Sequence, residues 1–192
     1  MLVSNKFKLA FVHIPKTGGS SFRRILKSND NGITKLGDFH QPIAPFVEQL
    51  KDYEKITVVR NSWQICASCY RFESSNRPRK NSMPDLNMSF YDWLQWKSEF
   101  REPCHYPFPR QLEYLKNKDG AIAVDKIIKF ENYHEEIRHI CNRYKLVYKE
   151  SDAHYYGKYD YKSIYKSDKD IQLVADICKE DIDYFKWTYE SN

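Results

Sequence analysis

The stretch Phe7-Lys-Leu-Ala-Phe-Val-His13-Ile-Pro-Lys16-Thr-Gly18-Gly19-Ser-Ser21-Phe-Arg-Arg-Ile-Leu-Lys27 decides the fold. Phe7 to His13 is an apolar run closed off by Pro15, which reads as a strand. Gly18 and Gly19 then permit a tight turn. Ser20 to Lys27 reads as a helix, with Phe22, Ile25 and Leu26 at i, i+3 and i+4 on one face. Strand, glycine turn and helix in that order open an α/β unit.

The rest of the chain keeps the alternation. Lys55 to Arg60 (KITVVR) is β-branched at its centre and reads as a second strand. Ser62 is the expected cap of a helix over Trp63 to Glu73. Val124 to Phe130 (VDKIIKF) reads as a third strand. Helices are expected over Ser89 to Phe100, Arg110 to Lys116, Asn132 to Tyr144 and Asp168 to Trp187, with a short one over Phe46 to Tyr53. In the last of the long helices, Ile171, Val174, Ala175, Cys178, Ile182 and Phe185 form one stripe. Strands alternating with helices imply an α/β fold with a mostly parallel central sheet flanked by helices. No repeat or linker interrupts the 192 residues, so one domain over 1–192 is expected.

Composition narrows the classes. Hydrophobic residues make up 41%, enough for a core, and no run approaches the roughly 20 apolar residues that span a bilayer. Lys6 and Lys8 interrupt the first apolar run, so no secretory signal is read there, and a cytosolic protein is expected. Five Cys are an odd and scattered set, which fits a reduced chain. Cys66 and Cys69 form a CxxC inside a predicted helix with no second pair, and buried thiols are the preferred reading. The net charge of 31 − 26 = +5 suits an anionic ligand without requiring one.

The chemistry sits where the strands end. After His13, the glycine turn feeds directly into a helix start, whose unpaired N–H groups converge on one point and make an anion site. Thr17, Ser20 and Ser21 add hydroxyls there, and Lys16 adds a full charge. The order GxxxxGK[ST] of nucleoside-triphosphate loops is absent. Arg60 lies at the carboxyl end of the second strand, where ligands collect in open α/β sheets. Ser68 lies on the next helix, and the two can meet a second phosphate, Arg as a fork and Ser through its hydroxyl.

Taken together, His13-Ile-Pro-Lys-Thr-Gly-Gly-Ser-Ser21 and Arg60-Asn-Ser-Trp-Gln-Ile-Cys-Ala-Ser68-Cys-Tyr70 resemble the two donor-binding motifs of the sulfotransferases that use 3′-phosphoadenosine-5′-phosphosulfate (PAPS). The likeness is strongest to the branch related to heparan sulfate 2-O-sulfotransferase. Ser62 stands where Pro is usual in the second motif, and Ile65 where a second Arg is usual. Weaker likenesses run on through Gln111-x-x-Tyr114-Leu115, Ile128-Lys-Phe130-Glu131-Asn132 and Asp181-Ile-Asp-Tyr-Phe185, where Lys186 replaces a Gly.

The resemblance implies a P-loop-like three-layer fold and transfer of a sulfuryl group from PAPS to an acceptor hydroxyl, with a sugar expected. It implies that Lys16, Thr17, Gly18, Gly19, Ser20 and Ser21 hold the 5′-phosphosulfate, and that Arg60 and Ser68 hold the 3′-phosphate. His40, in Gly37-Asp-Phe-His40-Gln, is the implied base, and a histidine has the right unperturbed pKa for it. His105 and His154 are the fallback bases, and His13 is expected to be structural. Lys16 is the implied charge stabiliser. No metal and no nucleic-acid partner are expected. Two other classes share the strand–loop–helix logic. One is a P-loop-type nucleotide kinase, which needs Mg²⁺. The other is a non-catalytic module binding the nucleotide or a sulfated glycan. The basic run Arg77-Pro-Arg79-Lys80 reads as a solvated surface loop.

Overall fold

The opening strand finds its first partner in the residues just before it. In the computed structural model, which describes residues 1–75, 87–99, 110–148 and 160–190, Leu2–Ser4 (β1) folds back on Leu9–Val12 (β2). The register is antiparallel, with Leu2 opposite Phe11, Val3 opposite Ala10 and Ser4 opposite Leu9. The polar turn between them is held by Ser4, whose Oγ accepts the Phe7 N–H at 3.1 Å and donates to Asp30 at 2.5 Å. Lys8 takes a left-handed φ of 50°, which ends the turn at Leu9. The strand read from Phe7 therefore starts two residues later.

Three more strands complete the sheet: Thr34–Lys35 (β3), Glu54–Val59 (β4) and Lys126–Lys129 (β5). Their order is β3-β1-β2-β4-β5. The pairings β2–β4 and β4–β5 are parallel, whereas β1–β2 and β1–β3 are antiparallel. The fold is α/β, but the sheet is mixed and not mostly parallel. The cause is local: a four-residue turn can join only antiparallel neighbours, while the parallel pairs need the long crossovers that carry helices.

Seven α-helices lie among the described residues. They are Gly19–Asn29 (α1), Ser62–Ser74 (α2), Phe90–Glu99 (α3), Gln111–Leu115 (α4), Tyr133–Tyr144 (α5), Asp168–Ile177 (α6) and Lys179–Phe185 (α7). The cap of α2 is Asn61, whose side chain accepts the Trp63 N–H, so Ser62 is the first helical residue and not the cap. The short helix expected over Phe46 to Tyr53 is instead a pair of 3₁₀ turns, Ala44–Phe46 and Glu48–Leu50. The single helix expected over Asp168 to Trp187 is two, because Cys178 leaves helical geometry at φ −100°, ψ 18°. No helix among the described residues is long and apolar enough to cross a membrane.

The chain divides into two compact units, Met1–Arg60 with Gln111–Gly157, and Asn61–Arg110 with Lys158–Asn192. The first contains the sheet. Its core joins Leu9, Phe11, Ile56, Val58 and Ile128 to Phe22, Ile25 and Leu26 of α1 and to Ile137 and Ile140 of α5. The i, i+3, i+4 stripe of α1 thus does what its spacing predicts. Phe11 and Phe22 meet edge to face at 4.9 Å.

The second unit is helical. Glu73 and Lys97 form a buried ion pair at 2.7 Å, and the Trp93 indole donates to the other Glu73 oxygen at 3.0 Å. Burying both charges is tolerable only because each finds its opposite and further hydrogen bonds. Cys66, Cys69 and Cys178 are free and buried, as is Cys141 of the first unit. Burial, with Cys178 as neighbour, pushes the Cys66 thiol well above its usual range, so it stays protonated and unreactive. The CxxC pair therefore belongs to the packing. Cys104, His105, His154 and the run Arg77–Lys80 lie outside the described residues.

Candidate functional site

Because β2, β4 and β5 run parallel, their carboxyl ends share one edge of the sheet. The segments leaving those ends carry the candidate residues: His13 to Gly19 after β2, Arg60 after β4 and Phe130 after β5. Thr57 ties β4 to β2 near that edge, its hydroxyl donating to the Val12 carbonyl at 2.9 Å. Open α/β sheets bind ligands at such an edge.

The loop after β2 is shaped by two backbone residues with positive φ, Lys16 at 63° and Gly18 at 83°. Gly18 is the N-cap of α1 and supplies no side-chain cap, and the first turn of α1 holds no acidic residue. Its side-chain space is closed as well, since a Cβ there would lie 2.9 Å from the Phe130 ring. At Gly19 a Cβ would lie 2.1 Å from the His13 imidazole. The glycine pair therefore does two different jobs. Gly18 makes the turn, and Gly19 lets the His13 ring pack against the start of α1.

The three hydroxyls of the loop part company. Thr17 is buried and donates to the Ile14 carbonyl at 2.9 Å, so its side chain braces the loop from within. Ser21 is buried and hydrogen-bonded to the Tyr133 phenol, which also donates to the Gly18 carbonyl at 3.4 Å. Ser20 is exposed. The N-terminus of α1 has no side-chain cap, and Lys16 and Ser20 stand beside it, an arrangement of the kind that can receive an anion.

Arg60 reaches this same loop. Its guanidinium lies over the Phe130 ring at 4.4 Å from the centroid, and Nη1 donates to the Lys16 carbonyl at 3.3 Å. Beside it, burial raises the Glu131 carboxyl above its usual range, partly offset by the charges of Lys129 and Arg60. Phe130 thus both walls Gly18 and supports Arg60. Sequence reasoning found the third strand but not this role, although a ring at a strand's carboxyl end was the available signal.

His40 joins from the other side. Its Nδ1 sits 3.1 Å from the His13 carbonyl, which can only accept, so Nδ1 carries the proton and the lone pair is on Nε2. The rings of His13 and His40 are 4.6 Å apart. Burial lowers the His40 pKa, opposed by the bond to the His13 carbonyl and reinforced by Arg23. The structure thus brings His40, Lys16, Gly18, Gly19, Ser20, Ser21 and Arg60 to one loop of the first unit. Ser68 lies half-buried on α2, in the second unit.

His13 itself is stacked on Phe11 at 5.6 Å, and its Nδ1 is buried without a hydrogen-bond partner among the described residues. Burial above all, with His40 and Arg23 near, lowers its pKa from 6.5 to about 3. A base with a depressed folded-state pKa stays neutral in the native protein while the unfolded chain takes up a proton. Its contribution is fully present above pH 6.5 and is lost as pH falls from 6.5 toward 3, at about 1.4 kcal/mol per pH unit. Denaturant unfolding at pH 7.5 and pH 4.5 is expected to show an acid loss that His13→Asn reduces by about 3 kcal/mol, the His40 share remaining. An equal acid loss in the variant would remove His13 as its source.

Fold and site together define an α/β protein with a mixed five-stranded sheet and a glycine turn leading into α1 at its parallel carboxyl edge. Comparison with protein-family models, with curated proteins and with solved structures finds no match.

Proposed function

We propose that the protein is a PAPS-dependent sulfotransferase that sulfates an acceptor hydroxyl, with a sugar as the expected acceptor. A P-loop-like three-layer arrangement is part of this reading. The observation that carries it is the convergence on one loop of three residues singled out for separate roles: Lys16 in the loop, Arg60 bonded to its backbone and His40 bonded to the carbonyl that precedes it. The two motifs of the sequence lie 39 positions apart, from Ser21 to Arg60, and would otherwise have no reason to meet.

The donor supplies the sulfuryl group and a bisphosphate leaving group. The chain's residues bind, orient and move protons. His40 Nε2 takes the proton of the acceptor hydroxyl while its Nδ1–H stays on the His13 carbonyl. The Lys16 ammonium offsets negative charge developing on the leaving side, and the amides from Gly18 to Ser21 hold the anionic oxygens. Arg60 anchors the 3′-phosphate. Sulfuryl transfer, like phosphoryl transfer, depends mostly on such positioning and charge stabilisation.

Transfer of labelled sulfate from PAPS over a panel of sugar, lipid and small-molecule hydroxyls tests the activity, and absence of transfer to every acceptor would count against it. Calorimetry tests the anchor. Arg60→Ala is expected to weaken binding of adenosine 3′,5′-bisphosphate by about ten- to a hundredfold, the loss of a charge-assisted fork. Unchanged affinity would contradict the role of Arg60. Donor affinity that needs Mg²⁺ would favour a nucleotide kinase instead.

A further inference from the structure

The element Gln111-x-x-Tyr114-Leu115 has no part in the chemistry above, yet its helix touches both sides of the site. The Gln111 side chain is fully buried. Its Oε1 accepts the Arg60 N–H at 2.8 Å, and its Nε2 donates to the Arg60 carbonyl at 2.7 Å. One carboxamide thus satisfies both backbone groups of the residue that leaves β4, as a neighbouring strand would. Arg60 lies one residue beyond β4, so its backbone has passed out of the strand, and the orientation of its side chain depends on what fixes that backbone. One turn further along α4, the Tyr114 carbonyl accepts the N–H of Ile43, a buried residue three positions after His40.

We propose that Gln111 is a positioning residue for Arg60, and that α4 is a bracket holding the anchor and the segment bearing the base in one register. The inference rests on the reading of Arg60 as a phosphate anchor. Gln111 does not touch the ligand in this role, because its carboxamide is occupied by the Arg60 backbone. It acts by aiming the guanidinium over Phe130, where it also meets the Lys16 carbonyl. Asn at this position would be a methylene too short to keep both bonds, and Glu would keep the acceptor while losing the donor.

The test is calorimetric binding of adenosine 3′,5′-bisphosphate to the full chain, its Gln111→Ala and Gln111→Glu variants, Arg60→Ala and the double variant Arg60→Ala/Gln111→Ala, with Tm recorded for each. Gln111→Ala is expected to weaken binding about tenfold, the worth of roughly one buried hydrogen bond. Gln111→Glu should fall between it and the native chain. The double variant should bind no more weakly than Arg60→Ala alone, since Gln111 acts only through Arg60. A merely structural role predicts losses that add, and that outcome overturns the inference. Native affinity in Gln111→Ala alongside weakened Arg60→Ala overturns it alone. Native affinity in Arg60→Ala overturns the anchor reading beneath it. Should Gln111→Ala fail to fold, Gln111→Glu carries the same comparison, and native affinity there overturns the two-bond clamp.

Discussion

Replacing His40 with Ala is expected to lower kcat by about 10²–10⁴, the usual worth of a positioned general base. The geometry makes the expectation specific. The His13 carbonyl fixes the proton on Nδ1, so the basic lone pair is on Nε2 in the resting protein. Burial holds the imidazole below its ordinary pKa. The neutral, competent form therefore dominates at neutral pH, and activity should fall on acidification only below pH 6.5. His40→Gln keeps an N–H that can bond the His13 carbonyl but offers no comparable base, so it should be about as inactive as His40→Ala. Near-native rates in both variants would move the base to His105 or His154. A rate restored by Gln alone would make His40 a structural tie.

Lys16→Ala is expected to lower kcat by about 10²–10³, as loss of a preorganised charge stabiliser does. The backbone supplies an unusual control. Lys16 holds φ at 63°, a conformation that disfavours any residue with a Cβ by roughly 1 kcal/mol. Lys16→Gly removes the ammonium and relieves that strain together. It should unfold at an equal or higher temperature than the Ala variant and yet be as slow. Slow turnover in Ala but near-native turnover in Gly would show that the loop's shape, not the charge, limits the reaction. Full turnover in both would remove Lys16 from the chemistry.

The Thr17 and Ser21 hydroxyls show how far loop composition alone can mislead. Both residue types are good anion donors, and both stand in the loop, but one donates to the Ile14 carbonyl and the other is bonded to the Tyr133 phenol. Their direction depends on the left-handed turns at Lys16 and Gly18 and on a ring brought from α5. Those are facts of the folded backbone, and residue type does not carry them.

The sequence by itself determined the local units. Apolar runs ending at His13 and Arg60, the glycine pair, and the 3.6-residue stripe of α1 are short-range patterns, and short-range backbone preferences are enough to set them. Only the tertiary structure decided the rest. The antiparallel β1 is only three residues long, too few to show a period. The break at Cys178 has no glycine or proline to announce it, so the apolar stripe runs on unbroken through it. The clamp of Gln111 on Arg60 joins residues 51 positions apart, and the Phe130 ring reaches Gly18 and Arg60 only because β5 lies beside β4. Contacts of that kind exist once chain segments are packed side by side, and no window of sequence contains both partners.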